Sequence, residues 1–340
     1  MRPLRILALM HDYLVPPEDV TGFDLSSVEW KTEFDVTSTL QASGHEVLNV
    51  GVGDDLGVVR KTVTEWKPHI VFNLMESFQE IGIFEQNVVS YLELLRVPYT
   101  GCNPRGLMLS RDKALSKTLL SHHRIQVPEF TVFRVGRAIT PPKRLRFPLI
   151  VKSLTQEASA GIAQASVVED VEKLAERVRF IHRRVGTDAI VERYIDGREL
   201  YVGVIGNHKL QLFPIWELQF TRLPDHQHRI ATDRVKWDAK YQERHGITSG
   251  PAKGLPDEVA HQIRRLCRRA YRALDLSGYA RMDLRMDADG RVFMLEANAN
   301  PQIAYGEDFA ESAETAGVSY EDLLQRILNL GLRWRPDRQR

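Results

Sequence analysis

Short apolar runs alternate with helically spaced apolar residues through the N-terminal third of the chain. Residues 4–9 predict a buried strand. KTEFDVTSTLQASG predicts a helix with Phe34, Thr37, Leu40 and Gln41 on one face and Ser43-Gly44 as its stop. HEVLNVGV predicts a second strand, VVRKTVTEW a short helix, HIVFNLM a third strand, and NVVSYLELLR a helix that ends before VPYTG. This alternation implies a parallel sheet with helices on its faces. No G-x-G-x-x-G follows the first strand, and no G-x-x-x-x-G-K-S/T occurs anywhere. A dinucleotide fold with the usual glycine fingerprint and a P-loop nucleotide hydrolase are therefore disfavoured.

The pattern changes near Asn103. GLMLSRDKALSKTLLSHHR predicts a helix, VPEFTVF is extended, and the prolines of TPPKRLRFP mark a linker or edge turn. PLIVKSL and DAIVERYI predict short strands on either side of a helix over EDVEKLAERVRFIHRR. It changes again near Gly197, where ELYVGVIGNHKLQLFPIWEL predicts two strands around a Gly-Asn turn. Residues 221–254 are polar, with Gly, Pro and His, and predict a long mobile loop. The expected division is an N-terminal α/β domain over 1–102, a central lobe over 103–196 and a C-terminal lobe over 197–335.

At 340 residues the chain has room for two or three such units, each with a sizeable core. Its 43% hydrophobic and 27% charged residues are ordinary for a globular protein. A net charge of +1, from 46 basic and 45 acidic residues, argues against a dedicated nucleic-acid binder. The basic run HQIRRLCRRAYRAL places Ile263, Leu266, Cys267, Ala270 and Leu274 at helical spacing, as in a helix with one solvated face. Cys102 and Cys267 are too few for a disulfide framework or a metal cluster. The N-terminus lacks a small-residue cleavage site and no run approaches a membrane span, so no membrane partner is expected and the cytoplasm is the expected location.

The candidate chemistry lies in RMDLRMDADGRVFMLEANANP, residues 281–301. Asp289-Gly290 between two strand-like runs is a strong hairpin signal. A two-residue loop there places Asp283 opposite Glu296 and Arg281 opposite Asn298, all on one face. A four-residue loop would shift that pairing while keeping each strand's own pair together. Opposed carboxylates about 4.5–5.5 Å apart at Cβ repel each other unless solvent screens them or a cation joins them. Two carboxylates and an amide oxygen suit Mg²⁺, with phosphate oxygens completing its shell. On an exposed hairpin face, water would suffice instead. Lys113, Lys152, Glu192 and Glu199 carry weak signals singly, because each also fits an ordinary surface or turn position.

In combination these residues resemble the ATP-grasp ligases, and within them the D-alanine–D-alanine ligases. VPYTG…RDK, PLIVK, VERYIDGRE, DAKY, GYARMD and LEANANP occur in that family's order over roughly residues 98–330. The resemblance implies an α/β, two-lobed ATP-grasp fold preceded by a Rossmann-like parallel-sheet domain. It implies ATP with two Mg²⁺ ions, or Mn²⁺ in their place, and an acyl-phosphate route to an amide. It assigns Lys113 and Lys152 to the phosphates, Glu192 with the Arg193–Ile195 backbone to the adenine, Glu199 to the ribose, and Leu295 to the ATP site. Asp283, Glu296 and Asn298 would hold the metal ions, Arg281 would steady the tetrahedral intermediate, and Lys240 would reach the γ-phosphate. Ser159, in the loop from Gln156 to Gly161, would cover the transferred phosphate. The implied partners are small-molecule carboxylate and amine substrates and a second copy of the chain, although no residue pattern signals the dimer.

The substrate parts depart from the family. Its phosphate-covering loop is rich in glycine and serine, and here reads QEASAG. Its acceptor-binding serine aligns with Glu307, and NLMESFQE, with Glu76 and Glu80, replaces its histidine-glycine motif. Glu29 and Glu33 are candidates for the family's amine-binding glutamate, and Tyr241 is a further substrate candidate. A glutamate repels a carboxylate and attracts an amine. The expected activity is thus a carboxylate–amine ligase with substrates other than two D-alanines. The alternatives are a D-alanine–D-alanine ligase and a regulatory ATP-binding module.

Overall fold

The computed structural model describes residues 2–140, 142, 144–156 and 161–336. Strands β1 (Arg5–His11), β2 (Glu46–Val52) and β3 (Ile70–Asn73) form a parallel sheet in the order β2-β1-β3. Residues Ile6–Met10 have no exposure, as a central parallel strand covered on both faces requires. Helices α1 (Lys31–Ala42), α2 (Gly57–Trp66) and α3 (Glu85–Leu94) complete this unit. The face of α1 differs from expectation. Glu33, Val36, Thr37 and Leu40 are buried, while Gln41 is exposed and Phe34 packs edge-on against Trp30. The spacing fits the helical period, but a carboxylate stands in the apolar stripe.

The helix expected over residues 106–124 is two helices, α4 (Pro104–Arg111) and α5 (Lys113–His122). The break falls at Asp112, whose extended backbone and side chain cap α5 by accepting from the Ala114 and Leu115 amides at 2.9 Å. Next come β4 (Phe130–Phe133), β5 (Leu149–Ser153), β6 (Val167–Val168), α6 (Val171–Phe180) and β7 (Ala189–Arg193). Their strands make an antiparallel sheet, β4-β7-β5-β6, with its own core around Leu149, Val151, Leu174, Val178 and Val191.

A third sheet, β10-β9-β8-β11-β12, contains β8 (Arg198–Ile205), β9 (Gln211–Phe220), β10 (Ile247–Pro251), β11 (Tyr279–Met286) and β12 (Val292–Ala299). Residues 221–254, expected as an unstructured loop, hold α7 (Asp233–Trp237), α8 (Ala239–His245) and β10. Thr232 and Asp238 cap the two helices, which are too short to show an apolar period. Helices α9 (Asp257–Ala273), α10 (Asp308–Thr315) and α11 (Tyr320–Arg333) pack around this sheet. Its core is continuous with that of the N-terminal unit, joining Leu7 and Val71 to Met282 and Met294. None of the described helices is long and apolar enough to cross a membrane.

The β11–β12 pairing agrees with expectation at its functional end for an unexpected reason. Asp283 pairs with Glu296 and Arg281 with Asn298, but beyond a bulge at Leu295 the register slips, and Met286 pairs with Val292. The turn is correspondingly longer, with Asp287 accepting from the Gly290 amide and donating to the Arg291 carbonyl. Bulge and longer turn offset each other.

Just past this hairpin, Asn300 adopts a left-handed backbone and joins the units. Its Oδ1 accepts from the Cys102 amide at 2.7 Å and its Nδ2 donates to Glu85 at 3.1 Å. Gly101, at φ +93°, leaves that amide its room, since a Cβ there would sit 2.5 Å from Asn300 Oδ1. Gly136, at φ +77°, has open space around it. Gly101→Ala should therefore destabilise by about 1–3 kcal/mol beyond Gly136→Ala, which isolates the backbone contribution. Equal denaturation midpoints for the two variants would contradict the junction.

Candidate active site

A cleft opens between the two antiparallel sheets. Lys152 on β5 and Glu192, Arg193, Tyr194 and Ile195 on and after β7 form one wall. Glu199, Asp283, Arg285, Leu295 and Glu296 form the other, with Ile230, Ala231 and Lys236 at its edge. Residues 281, 283 and 285 share a face of β11 because side chains alternate, while Met282 and Leu284 turn into the core.

The carboxylates here are buried and matched by cations. Glu192 is 1% exposed and lies 3.2 Å from both Lys117 and Lys152. Burial alone would raise its pKa, but the two ammonium groups hold it low. Lys117 is also 1% exposed, and burial lowers its pKa despite Glu192. It donates as well to the carbonyl of Leu295, the bulge residue, and so ties α5 to β7 and β12. Lys113 begins α5, 3.5 Å from Glu296. Burial would raise Glu296, yet Lys113, Lys152, Lys236 and Lys117 bring it down to about 2. Asp283 takes a two-pronged grip from Arg281 at 2.8 and 2.9 Å and a hydrogen bond from Asn298 Nδ2 at 2.9 Å. Burial still leaves its pKa raised, with Glu296 adding to the rise. Glu199 accepts from the Tyr201 hydroxyl at 2.9 Å.

This donor set fits Mg²⁺ bound together with a polyphosphate. Among the described residues, no group of three or more His, Cys, Asp or Glu side chains is placed to hold a metal by itself. Asp283, Glu296 and the Asn298 amide supply three hard oxygens, which leaves positions for phosphate oxygens and water.

Not every expected residue joins the cleft. Ser159 lies outside the described residues. Lys240 is exposed on α8, because Asp238 breaks the chain between α7 and α8 and gives them different facings. Tyr241 is half-buried within that segment, donating to Gln227 at 3.0 Å beneath Arg234. Sequence reasoning missed Lys117, although it stands four residues from Lys113 on the same helix face. It also missed Arg285, which continues the alternation of Arg281 and Asp283, and Lys236, which no pattern singled out.

Beyond Arg281 lies a second acidic zone. Glu307 precedes α10, and burial raises its pKa, with Asp308 adding to the rise and Lys31 and Arg281 opposing it. Lys31 and Asp35 of α1 strap the preceding loop, bonding to the Tyr305 carbonyl and amide. Glu33, 4% exposed, lies within electrostatic reach of Glu76 and Tyr13. Burial, with Glu76 adding to it, pushes its carboxyl up to about 7.

The chain is similar in sequence and in fold to known proteins. The family model described as D-ala D-ala ligase C-terminus matches residues 119–329. An uncharacterised protein, y4sG, of Sinorhizobium fredii is 34% identical over 310 residues, covering 88% of this chain and 86% of that protein. A D-alanine–D-alanine ligase of Desulforudis audaxviator is 31% identical over 301 residues, covering 87% and 90%. In fold, the chain resembles the Bacillus anthracis D-alanine–D-alanine ligase complexed with ATP, with TM-score 0.74, 20% identity and coverage of 97% and 98%.

Two outcomes follow from the buried charges. Lys117→Met should cost about 3 kcal/mol in denaturant titration, since it strips a cation from buried Glu192. Adding Glu192→Gln should recover part of that loss; no recovery would contradict the pairing. For Glu33, the folded pKa of about 7 exceeds the ordinary 4.5, so stability is greatest below pH 4.5, falls up to about pH 7, and is level above. Glu33→Gln should leave stability at pH 4 unchanged and raise it at pH 8 by about 1–3 kcal/mol, measured as denaturation free energy.

Proposed function

The chain belongs to the D-alanine–D-alanine ligase family of ATP-grasp enzymes, ADP-forming ligases that make carbon–nitrogen bonds, and from that premise we propose that it joins a carboxylate and an amine other than two D-alanines. The observation that carries this reading is Glu307. Aligned by sequence, its carboxylate replaces the family's acceptor-binding serine, and Lys31 and Arg281 lie within electrostatic reach of it. Glu33 and Glu76 extend the acidic character toward the parallel sheet. The three sheets support the division at 102/103 and 196/197.

In this reading Glu192 and the backbone from Arg193 to Ile195 take the adenine, and Glu199 takes the ribose. Lys113 and Lys152 turn from Glu296 and Glu192 toward phosphate oxygens. Asp283, Glu296 and Asn298 would hold Mg²⁺, probed equally by Mn²⁺, which would neutralise charge on the polyphosphate as it moves. A substrate carboxylate oxygen bonds to the γ-phosphorus as the bridge to ADP breaks. The amine then attacks the acyl carbon, loses a proton, and phosphate leaves. Arg281, freed from part of its grip on Asp283, faces the oxyanion of that second step.

ADP release is the test. D-alanine alone should support little turnover, while some pair from a pool of amino acids and amines should support more. D-alanine turnover as fast as any pair would overturn the substrate proposal. With the working pair, Arg281→Ala should lower kcat/KM by an amount equivalent to about 3–4 kcal/mol.

A further inference from the structure

We propose that Arg285 selects the nucleotide's sugar. It donates a hydrogen bond to a ribose hydroxyl whose proton goes to Glu199, so the chain binds ribonucleotides in preference to deoxyribonucleotides. This role rests on the ATP reading of the cleft proposed above, in which Glu199 alone takes the ribose.

Arg285 is 3% exposed, yet it lines the cleft. Its Nη2 donates to the carbonyls of Gly197, at 3.1 Å, and Arg229. A guanidinium carries five N–H donors. Among the described residues, the Nε and Nη1 hydrogens meet no acceptor, and no carboxylate pairs with the charge. The Tyr194 ring, with its centre 5.3 Å from the guanidinium carbon, gives a cation–π contact that leaves those donors unused. Arg281, on the same face of β11, instead directs its donors at Asp283. A buried cation with unused donors is costly until an acceptor reaches it.

The register points to the sugar as that acceptor. Arg285 stands opposite Glu199 across the β8–β11 pair, so the two side chains leave the same face side by side. Glu199 Oε1 accepts from the Tyr201 hydroxyl at 2.9 Å, which leaves Oε2 for an incoming donor. A carboxylate only accepts, a guanidinium only donates, and a hydroxyl does both. A ribose hydroxyl between them gives its proton to Glu199 and its lone pair to Arg285. A phosphate oxygen would meet Arg285 alone, and the adenine amino group would meet Glu199 alone. The Gly197 and Arg229 carbonyls hold the planar guanidinium in place, so its free donors are set before the nucleotide arrives.

Calorimetric titrations with Mg²⁺-ATP, Mg²⁺-2′-deoxy-ATP and Mg²⁺-3′-deoxy-ATP test the role without the other substrates. The intact chain, Arg285→Met and Arg285→Lys are compared. The intact chain should bind ATP at least about tenfold more tightly than one of the two deoxy analogues, within the range of a hydrogen bond to a charged group. Arg285→Met should shrink that preference to about threefold or less. Arg285→Lys keeps the charge, but its single ammonium is taken by the two carbonyls. It should shrink the preference as well, with a denaturation midpoint closer to that of the intact chain. A residue that only supports the fold would weaken all three nucleotides by one factor and leave their ratios alone. Equal affinity for ATP and both analogues in the intact chain, or an unchanged preference in either variant, overturns the role. If the intact chain binds none of the three, the ATP reading fails and this role with it.

Discussion

Everything in the cleft depends on keeping carboxylates ionised where water is scarce. Glu192, Asp283 and Glu296 would each rise in pKa from burial alone. Arg281 of β11, Lys113 and Lys117 of α5, and Lys152 of β5 oppose that rise. The site therefore requires all of α5, β5, β7, β11 and β12 in register. An ion-pair lattice of this kind adds little net stability, because desolvation offsets attraction. Under the proposed function, those cations exchange a carboxylate partner for a phosphate one.

The cores divide along the same line as the lattice. The central sheet has its own apolar core, whereas the N-terminal and C-terminal sheets share one. The cleft runs along the seam between these bodies, and Lys117 crosses it by touching both Glu192 and the bulge carbonyl of Leu295. The β-bulge thus has a stated role: it turns the Leu295 carbonyl to a buried ammonium while leaving Glu296 opposite Asp283. On the other side, Asn300 ties the end of the same strand to Cys102 and Glu85.

Much of this was legible in the chain itself. Short apolar runs predict the strands, and RMD with LEAN predicts the paired carboxylates, because both depend on local spacing. The Asp289-Gly290 turn led to the correct pairing at Asp283 only because a bulge and a longer turn shift the register in opposite senses. The sequence around Asp112 predicts one continuous helix, since a capping aspartate and a surface aspartate look alike until the backbone is seen. Lys236 escaped notice because its relevance comes from tertiary placement of two short capped helices, which carry no apolar period. Glu33 lies outside the face that the sequence predicts for α1, and only the fold shows its carboxyl buried beside Val36, Thr37 and Leu40.

The same electrostatics bear on specificity. Family membership fixes the energy source and the bond made, whereas the proposal about what is joined rests on Glu307, Glu33 and Glu76. The central claim is that the β11–β12 carboxylates bind nucleotide through a divalent cation. Calorimetric titration of ATP with Mg²⁺ and with EDTA, in the intact chain and in Glu296→Gln, tests it most directly. The account predicts that Mg²⁺ strengthens ATP binding to the intact chain and that Glu296→Gln removes most of this gain. Equal ATP affinity with and without Mg²⁺ in the intact chain would contradict it.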